Sequence, residues 1–439
     1  MRGDGQAEHQ LTRSALIADV NPYRGLRYFR EEDSSYFFGR ESLSQQIFER
    51  VKEHRFVSVV GASGSGKSSV VHAGVLPRVR RDDRGGRAWA IVSVTPESDP
   101  ARSLAERLAP LIQPTLAGAD LDREVAAIRG RLLSVQTQDK GALGRLIRQV
   151  TQNRTGIDAV LLLVDQFEEL YTLAPESGEL GQTRFIDELV AAAGDPDVPL
   201  HTLVTLRGDF HHRATSRRDL ADLMNVAQVN VGPMHDDELR EAIAAPATAL
   251  HTSFEAGLVD RILADMTGET NALPLLEFLL EGLWTKRADD DGRLTHAAYE
   301  ALGGVKRAIT SRANRVFDAM SPSEQDLARQ LMLRLVRPGS GALDSKRPAE
   351  LNAADAHAEH VLATLTSQRL LVVDEDRVEL AHEALIREWQ VLRSWVDGVR
   401  SDLLLRDRLE AEADRWASTF RRDRQPNDGS ASRDRARSL

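Results

Sequence analysis

The stretch Phe56-Val57-Ser58-Val59-Val60-Gly61-Ala62-Ser63-Gly64-Ser65-Gly66-Lys67-Ser68-Ser69-Val70-Val71 decides the fold. A β-branched apolar run ends at a glycine, a G-x-x-x-x-G-K-S loop follows, and helix-compatible sequence comes next. A phosphate-binding P-loop needs this strand–loop–helix order. Gly61, Gly64 and Gly66 let the main chain come close to a phosphate. Ala62, Ser63, Ser65 and Ser69 fill out the loop and the first helical turn. The loop amides and the positive end of the helix favour an anion. Lys67 is placed to reach the β- and γ-phosphates, and the Ser68 hydroxyl to bind Mg²⁺. The chain has only six lysines, so one falling here by chance is a poor explanation.

The bulk composition narrows the class. A chain of 439 residues holds two or three domains, and 41% hydrophobic with 28% charged residues is ordinary for a globular protein. A net charge of −10 argues against a general nucleic-acid binder. There is no cysteine, which removes disulfides, thiol catalysis and cysteine-held metals together. Residues 1–20 are polar, without the apolar core of a signal peptide, and no apolar run has the length of a membrane span. A cytoplasmic protein without membrane contact is therefore expected. The excess of arginine over lysine, with abundant alanine, points to a GC-rich bacterial genome.

Along the chain, residues 1–20 read as a flexible lead-in. Asn21 to Glu41 is dense in aromatics and reads as an ordered arm. A helix is expected over Ser42 to His54, then the P-loop strand and its helix, which Pro77 helps to end. Ala88 to Val94, Ala159 to Val164 and Leu200 to Leu206 read as strands. The apolar runs of the last two suit strands covered on both faces, and helical segments alternate with the strands. From residue 233 to 320 the pattern is helical throughout. From Ser321 to residue 400, helices and a short hairpin (Leu370 to Val373 with Arg377 to Leu380) form a winged-helix pattern, with His382 to Trp395 returning to helix. Residues 401–420 read as a C-terminal helix and 421–439 as a disordered tail. The expected fold class is α/β: a P-loop NTPase parallel sheet with helices on both faces, then an all-helical module and a winged-helix module.

Hydrolysis needs a Mg²⁺ ligand and a group that orients water. Val164-Asp165-Gln166-Phe167-Glu168-Glu169 supplies both. Asp165 falls where an apolar strand ends, the edge where open α/β sheets bind ligands, and is the natural second metal-facing group beside Ser68. Glu168 or Glu169 is placed to position the water. Arg207 ends the next strand and can sense the γ-phosphate if that strand lies beside the P-loop strand. His211, His212 and His235 lack the spacing of a zinc site.

The order of these features resembles the STAND class of P-loop NTPases, and most closely the novel STAND NTPase family often fused to WD-repeat propellers. The resemblance runs from Asn21 to Trp416. It rests on Asn21-Pro22-Tyr23-Arg24-Gly25-Leu26, Phe37-Phe38-Gly39-Arg40-Glu41, the P-loop, Val164-Asp165-Gln166-Phe167-Glu168-Glu169-Leu170, Leu206-Arg207-Gly208-Asp209-Phe210, Ala272-Leu273-Pro274-Leu275-Leu276-Glu277-Phe278 and Leu380-Ala381-His382-Glu383-Ala384-Leu385. It implies that Gly39 and Arg40 lie against the adenine and that Pro274 packs near the base. It also implies that His382 touches the β-phosphate of bound ADP and holds the molecule closed. ATP or ADP with Mg²⁺ would be the ligands. Exchange of ADP for ATP would open the protein and permit homo-oligomerisation. Effector and sensor, usual in such proteins, are not read in this chain: either it is a truncated or shortened product, or it is a subunit whose effector or sensor is a separate partner protein.

Two rivals stand beside that slow signal-transduction switch. A continuously cycling AAA+-like ATPase would need a trans-acting arginine finger, and no such motif is evident. A winged-helix DNA-binding regulator would need a basic recognition helix. Ala354 to Gln368 carries Asp355, Glu359 and two histidines but no Lys or Arg.

Overall fold

The computed structural model describes residues 20–82, 88–134, 141–154, 156–172, 178–267, 273–287, 292–339, 344–350, 356–368, 370–374, 377–381, 383–406 and 408–409. The lead-in 1–19, the tail 421–439, most of the expected helix over 401–420, and His382 lie outside the described residues.

Five parallel strands form the central sheet: β1 (Phe56–Gly61), β2 (Trp89–Val94), β3 (Ala159–Val164), β4 (Leu200–Arg207) and β5 (Gln228–Val231). Their order is β2-β3-β4-β1-β5. The P-loop strand therefore sits between β4 and β5, with Gly61 level with Arg207 on one side and Val231 on the other. All six residues of β3 are buried, as a strand covered on both faces demands. On one face Val60, Val92, Leu162 and Val204 pack on the helices Pro100–Ile112, Ala142–Asn153 and Gly178–Gly194. On the other, Val57, Val59, Leu161 and Leu203 pack on Glu41–Glu53 and the helix that follows the P-loop. Strand β5 carries no apolar run. Its two inward residues alternate with exposed Gln228 and Asn230, a pattern too short to read from sequence.

The helix after the P-loop runs past Pro77 instead of ending before it. It is α-helical at Lys67–Ser69, widens to a π-helical stretch at Val70–Val75, and returns to α-helix at Leu76–Arg80. Proline has no N–H to give the carbonyl four residues back, so a locally wider turn lets the chain continue.

Beyond the sheet, Asp236–Ala249, Leu258–Met266, Leu273–Lys286, His296–Leu302 and Gly304–Asp318 form a helical module. Ser321 caps the next helix, Pro322–Arg334, with Glu324 closing a capping box. Then come β6 (Val336–Arg337), β7 (Ser345–Lys346), β8 (Ala349–Glu350), the helix Ala356–Ser367, β9 (Leu371–Asp374) and β10 (Arg377–Leu380). The expected hairpin of β9 and β10 is present, and β8 adds an antiparallel third strand on β10. The helix expected over His382 to Trp395 is two helices, Ala384–Glu388 and Gln390–Gly398, broken at Trp389. Trp389 is buried, and its indole N–H donates to Asn314 Oδ1 at 2.7 Å. Its ring meets Phe317 and Trp395 edge-on. That anchor on Gly304–Asp318 bends the chain. One continuous core joins the helical module and the C-terminal elements.

Candidate functional site

The carboxyl ends of β1, β3 and β4 bring the loop Gly61 to Ser69, Asp165 and Arg207 to one edge of the sheet. Ser63 to Ser69, Thr205 and Arg207 line a cavity of about 1030 Å³, with Gln166 and Glu168 from the turn after β3. The helical module reaches it through Pro274, and the C-terminal elements through Lys346, Glu379 and Glu383.

The loop is drawn tight. Gly66 holds φ +88°, a left-handed conformation in which a side chain is strained. A Cβ at Gly61 would stand 2.8 Å from both Ser65 Oγ and the Val231 carbonyl. The Ser65 hydroxyl is buried and has no hydrogen-bond partner among the described residues. A polar group left over inside a loop of inward-turned backbone is what a phosphate would satisfy. Lys67 donates to the Gly61 carbonyl at 3.0 Å and the Ala62 carbonyl at 2.8 Å. Burial lowers its ammonium pKa, while Glu168 and Asp165 pull the other way.

Ser68 Oγ donates to Asp165 Oδ1 at 3.0 Å, and Thr205 Oγ1 donates to the same oxygen at 2.5 Å. The Gln166 amide adds a third bond to it at 3.1 Å. His72 Nε2 faces Asp165 Oδ2 at 3.3 Å. Burial pushes this carboxyl up, but the His72 ring and the two hydroxyls outweigh it and hold the group below its ordinary value. Asp165 is therefore a carboxylate. A serine hydroxyl against a buried carboxylate is a hard oxygen pair that fits Mg²⁺, which takes few protein ligands and fills its shell with phosphate oxygens and water. Among the described residues no group of three His, Asp or Glu side chains is arranged to hold a metal alone.

The adjacent glutamates diverge. Glu168 Oε2 accepts the Arg207 amide at 3.2 Å, and burial pushes its carboxyl up to about 7 against the pull of Lys67. Glu169 Oε2 accepts the Glu97 amide at 3.0 Å, and burial pushes it to about 8. Glu168 shares the field of Lys67 and Arg207, whereas Glu169 faces Lys346 of β7.

Away from the P-loop, Arg40 and Pro274 line the cavity. Gly39, left-handed at φ +81°, packs against the Glu238 carbonyl. Arg40 is buried, donates to the Gly232 carbonyl just past β5 at 2.6 Å and pairs with Glu238 of the helix Asp236–Ala249 at 3.5 Å, so its guanidinium ties the sheet's edge to the helical module. Pro274 is buried on the facing helix. The arm crosses beside them. Tyr23 donates to the Ile243 carbonyl, the Arg24 amide to Glu277, and the Phe29 amide to Ser69 Oγ at 3.2 Å.

A residue that sequence reasoning passed over closes on the P-loop. Glu383, next to His382, accepts from Ser63 Oγ at 2.6 Å and from Arg207 at 2.7 Å. Arg207 also pairs with Asp209 at 2.9 Å. Burial lowers the guanidinium pKa, and the pairs with Glu383 and Asp209 raise it above its ordinary value. Thr205 and His72 were also missed. Each had a weak positional signal: Thr205 is two residues before Arg207 on one strand, and His72 is one turn after Ser68.

Strand order, P-loop and the carboxylate at the end of β3 define a P-loop nucleoside triphosphatase with one strand between the P-loop strand and the carboxylate-bearing strand. The chain belongs to the Novel STAND NTPase 1 family, whose model matches residues 22–424. No curated protein sequence matches it. Among solved structures it is similar to the Aeropyrum pernix ORC1 protein in complex with DNA, with 16% identity over 84% of this chain and 94% of that one, at a TM-score of 0.41. The A. pernix ORC2 protein in its ADPNP and ADP complexes is 13% identical over 87% and 97%, at 0.42. Cdc6p from Pyrobaculum aerophilum is 12% identical over 82% and 94%, at 0.34. No helix of the described residues is long and apolar enough to cross a membrane.

Proposed function

We propose that the protein is an ATP/ADP-dependent signal-transduction switch, cytoplasmic and slow in hydrolysis. The observation that carries this reading is Glu383. A carboxylate from the C-terminal module, read here as a winged helix, holds the P-loop serine and the arginine at the end of β4 together. Both are groups a γ-phosphate would approach. Two like charges about 4 Å apart repel by about 4 kcal/mol at an effective dielectric of 20. Glu383 and a γ-phosphate therefore compete for Arg207, whereas ADP leaves Glu383 in place. Differential contact of this kind is what lets one nucleotide hold a closed state and the other release it.

In this reading Lys67 turns from its loop carbonyls to the β/γ-phosphates, and the loop amides, with Ser63, Ser65 and Ser69, surround them. Ser68 and Asp165 hold Mg²⁺, which neutralises charge on the phosphate oxygens when bound. Glu168, with its pKa near neutrality and its place beside Lys67 and Arg207, orients the attacking water. Gly39, Arg40 and Pro274 border the base, and His382, adjacent to Glu383, reaches the β-phosphate. Release of the C-terminal module exposes the surface for homo-oligomerisation and for a separate effector or sensor.

The test is to denature the purified protein and identify what it releases. Close to one equivalent of ADP per chain, absent from a Lys67→Ala preparation, is the expected result. An empty wild-type protein that turns ATP over continuously would overturn the switch reading and favour a cycling ATPase.

A further inference from the structure

We infer that His72 is a positioning residue for the metal-facing carboxylate Asp165, and that the N-terminal arm holds His72 in place through Tyr28. The inference rests on the reading of the P-loop as a Mg²⁺-nucleotide site.

His72 lies four residues after Ser68, so both side chains lean to one face of the P-loop helix. Both meet Asp165, but on different oxygens. Oδ1 gathers Ser68, Thr205 and the Gln166 amide, while Oδ2 faces the His72 ring. When a metal claims the Ser68 hydroxyl, one anchor of Oδ1 is withdrawn. The ring then fixes the other end of the carboxylate and keeps its plane from turning. Partners one step behind a metal-facing group commonly set its orientation and hence metal affinity.

Two features aim the ring. His72 sits inside the π-helical stretch Val70–Val75, whose wider turn shifts side chains around the helix axis. Tyr28 then stacks on it, ring centroids 4.9 Å apart and tilted by 35°. The next residue of the arm, Phe29, donates its amide to Ser69 Oγ, so the arm's register on this helix is fixed beside Ser68 itself. The ring nitrogen stands 3.3 Å from Asp165 Oδ2, so in this inference His72 acts on the carboxylate and not on the metal.

The experiment is calorimetric titration of the full chain with ADP across a Mg²⁺ series and in EDTA. His72→Leu is expected to raise the Mg²⁺ concentration needed for half the metal-dependent gain in affinity by at least about tenfold, the lower end for such partners. ADP affinity in EDTA should stay as in the wild type, because a partner of the metal-facing group acts on metal affinity. His72→Gln, whose amide nitrogen reaches the place of Nε2, should recover most of the loss, and Tyr28→Leu should produce a smaller shift of the same sign. An unchanged Mg²⁺ midpoint would overturn the inference. So would an EDTA affinity that falls in step, the mark of a merely structural role. A preference for Mn²⁺ or Co²⁺ in the wild type that disappears in His72→Leu would also overturn it, because the ring would then be a ligand. If His72→Leu fails to fold, His72→Asn, too short to reach Asp165, reads the same midpoint. A wild-type chain that binds no nucleotide would instead sink the proposed function.

Discussion

Glu168 and Glu169 differ by one position in the chain and by their whole environment in the fold. The turn after β3 passes through Gln166 in a left-handed conformation, φ +58°, and this sends the two carboxyls to different neighbours. Only Glu168 shares the field of Lys67 and Arg207. Glu168→Gln should cut phosphate release by about 10²-fold or more, the range for loss of a general base, while calorimetric ATP affinity stays within a few-fold. Glu169→Gln should cost much less, and the reverse ranking would reassign the water-orienting group. The wild-type rate should rise with pH through about 7, where Glu168 gives up its proton, and that limb should vanish in Glu168→Gln. The P-loop, Asp165 and Arg207 were legible because local chemistry dictates them: glycines for the cradle, a charge where an apolar run ends. Which glutamate lies beside Lys67 and Arg207 was not legible, since one backbone dihedral decides it. Glu383 was hidden for another reason. Its partners Ser63 and Arg207 are 320 and 176 residues away in sequence.

Among elements, the arm over residues 20–38 does the most with the least regular structure. It is fixed to the helical module at Tyr23 and Arg24, to the P-loop helix at Phe29, and onward through pairs of Arg24 with Asp33 and Glu31 with Arg80. Its aromatics predicted packing, and its path could not be read because nothing periodic specifies it. The long apolar strands were legible in full, whereas β5 and β8 were not, being held by neighbours more than by pattern. Pro77 and Trp389 misled in opposite senses: one helix continues through a wider turn, and the other breaks for a buried indole. The clasp of arm on helix has a pH signature. Burial raises the Glu277 carboxyl to about 8 from an ordinary 4.5. Between those values the folded state holds a proton that the unfolded state has lost. The contribution is therefore fully present below about 4.5 and fades as pH rises through about 8. Glu277→Gln keeps an acceptor for the Arg24 amide but cannot ionise. Its Tm should gain about 2–4 °C on the wild type between about pH 5.5 and about 8.5, the effect of ~1 kcal/mol in a domain of 150–250 residues. A constant offset across that range would refute the clasp's titration.

At the scale of the molecule, sheet and C-terminal module meet through charges more than through apolar surface. Glu383 bridges Ser63 and Arg207, while Lys346 pairs with Glu379 at 2.7 Å and faces Glu169 and Glu383. The apolar cores lie to either side: two on the sheet, one shared by the helical and C-terminal modules. An interface built from ion pairs is one that a new anion can reset, because its partners stay satisfied in either arrangement. In the proposed switch, removing Glu383 acts on the equilibrium between shapes more than on the fold. A hydrogen bond to a charged group contributes about 1.5–3 kcal/mol, and this mostly buried pair, its side chains 11% and 17% exposed, belongs in that range. Glu383→Ala should thus raise the ratio of ATP to ADP affinity by about tenfold, the equivalent of ~1.4 kcal/mol. It should also enlarge the ADP-bound molecule in small-angle scattering or move it to a higher assembly. Arg207→Ala should abolish that gain when the two are combined, since in the proposed switch carboxylate and phosphate compete for Arg207. Additive effects of the two substitutions, or an unchanged scattering profile, would show that the bridge is passive packing and that closure is governed elsewhere.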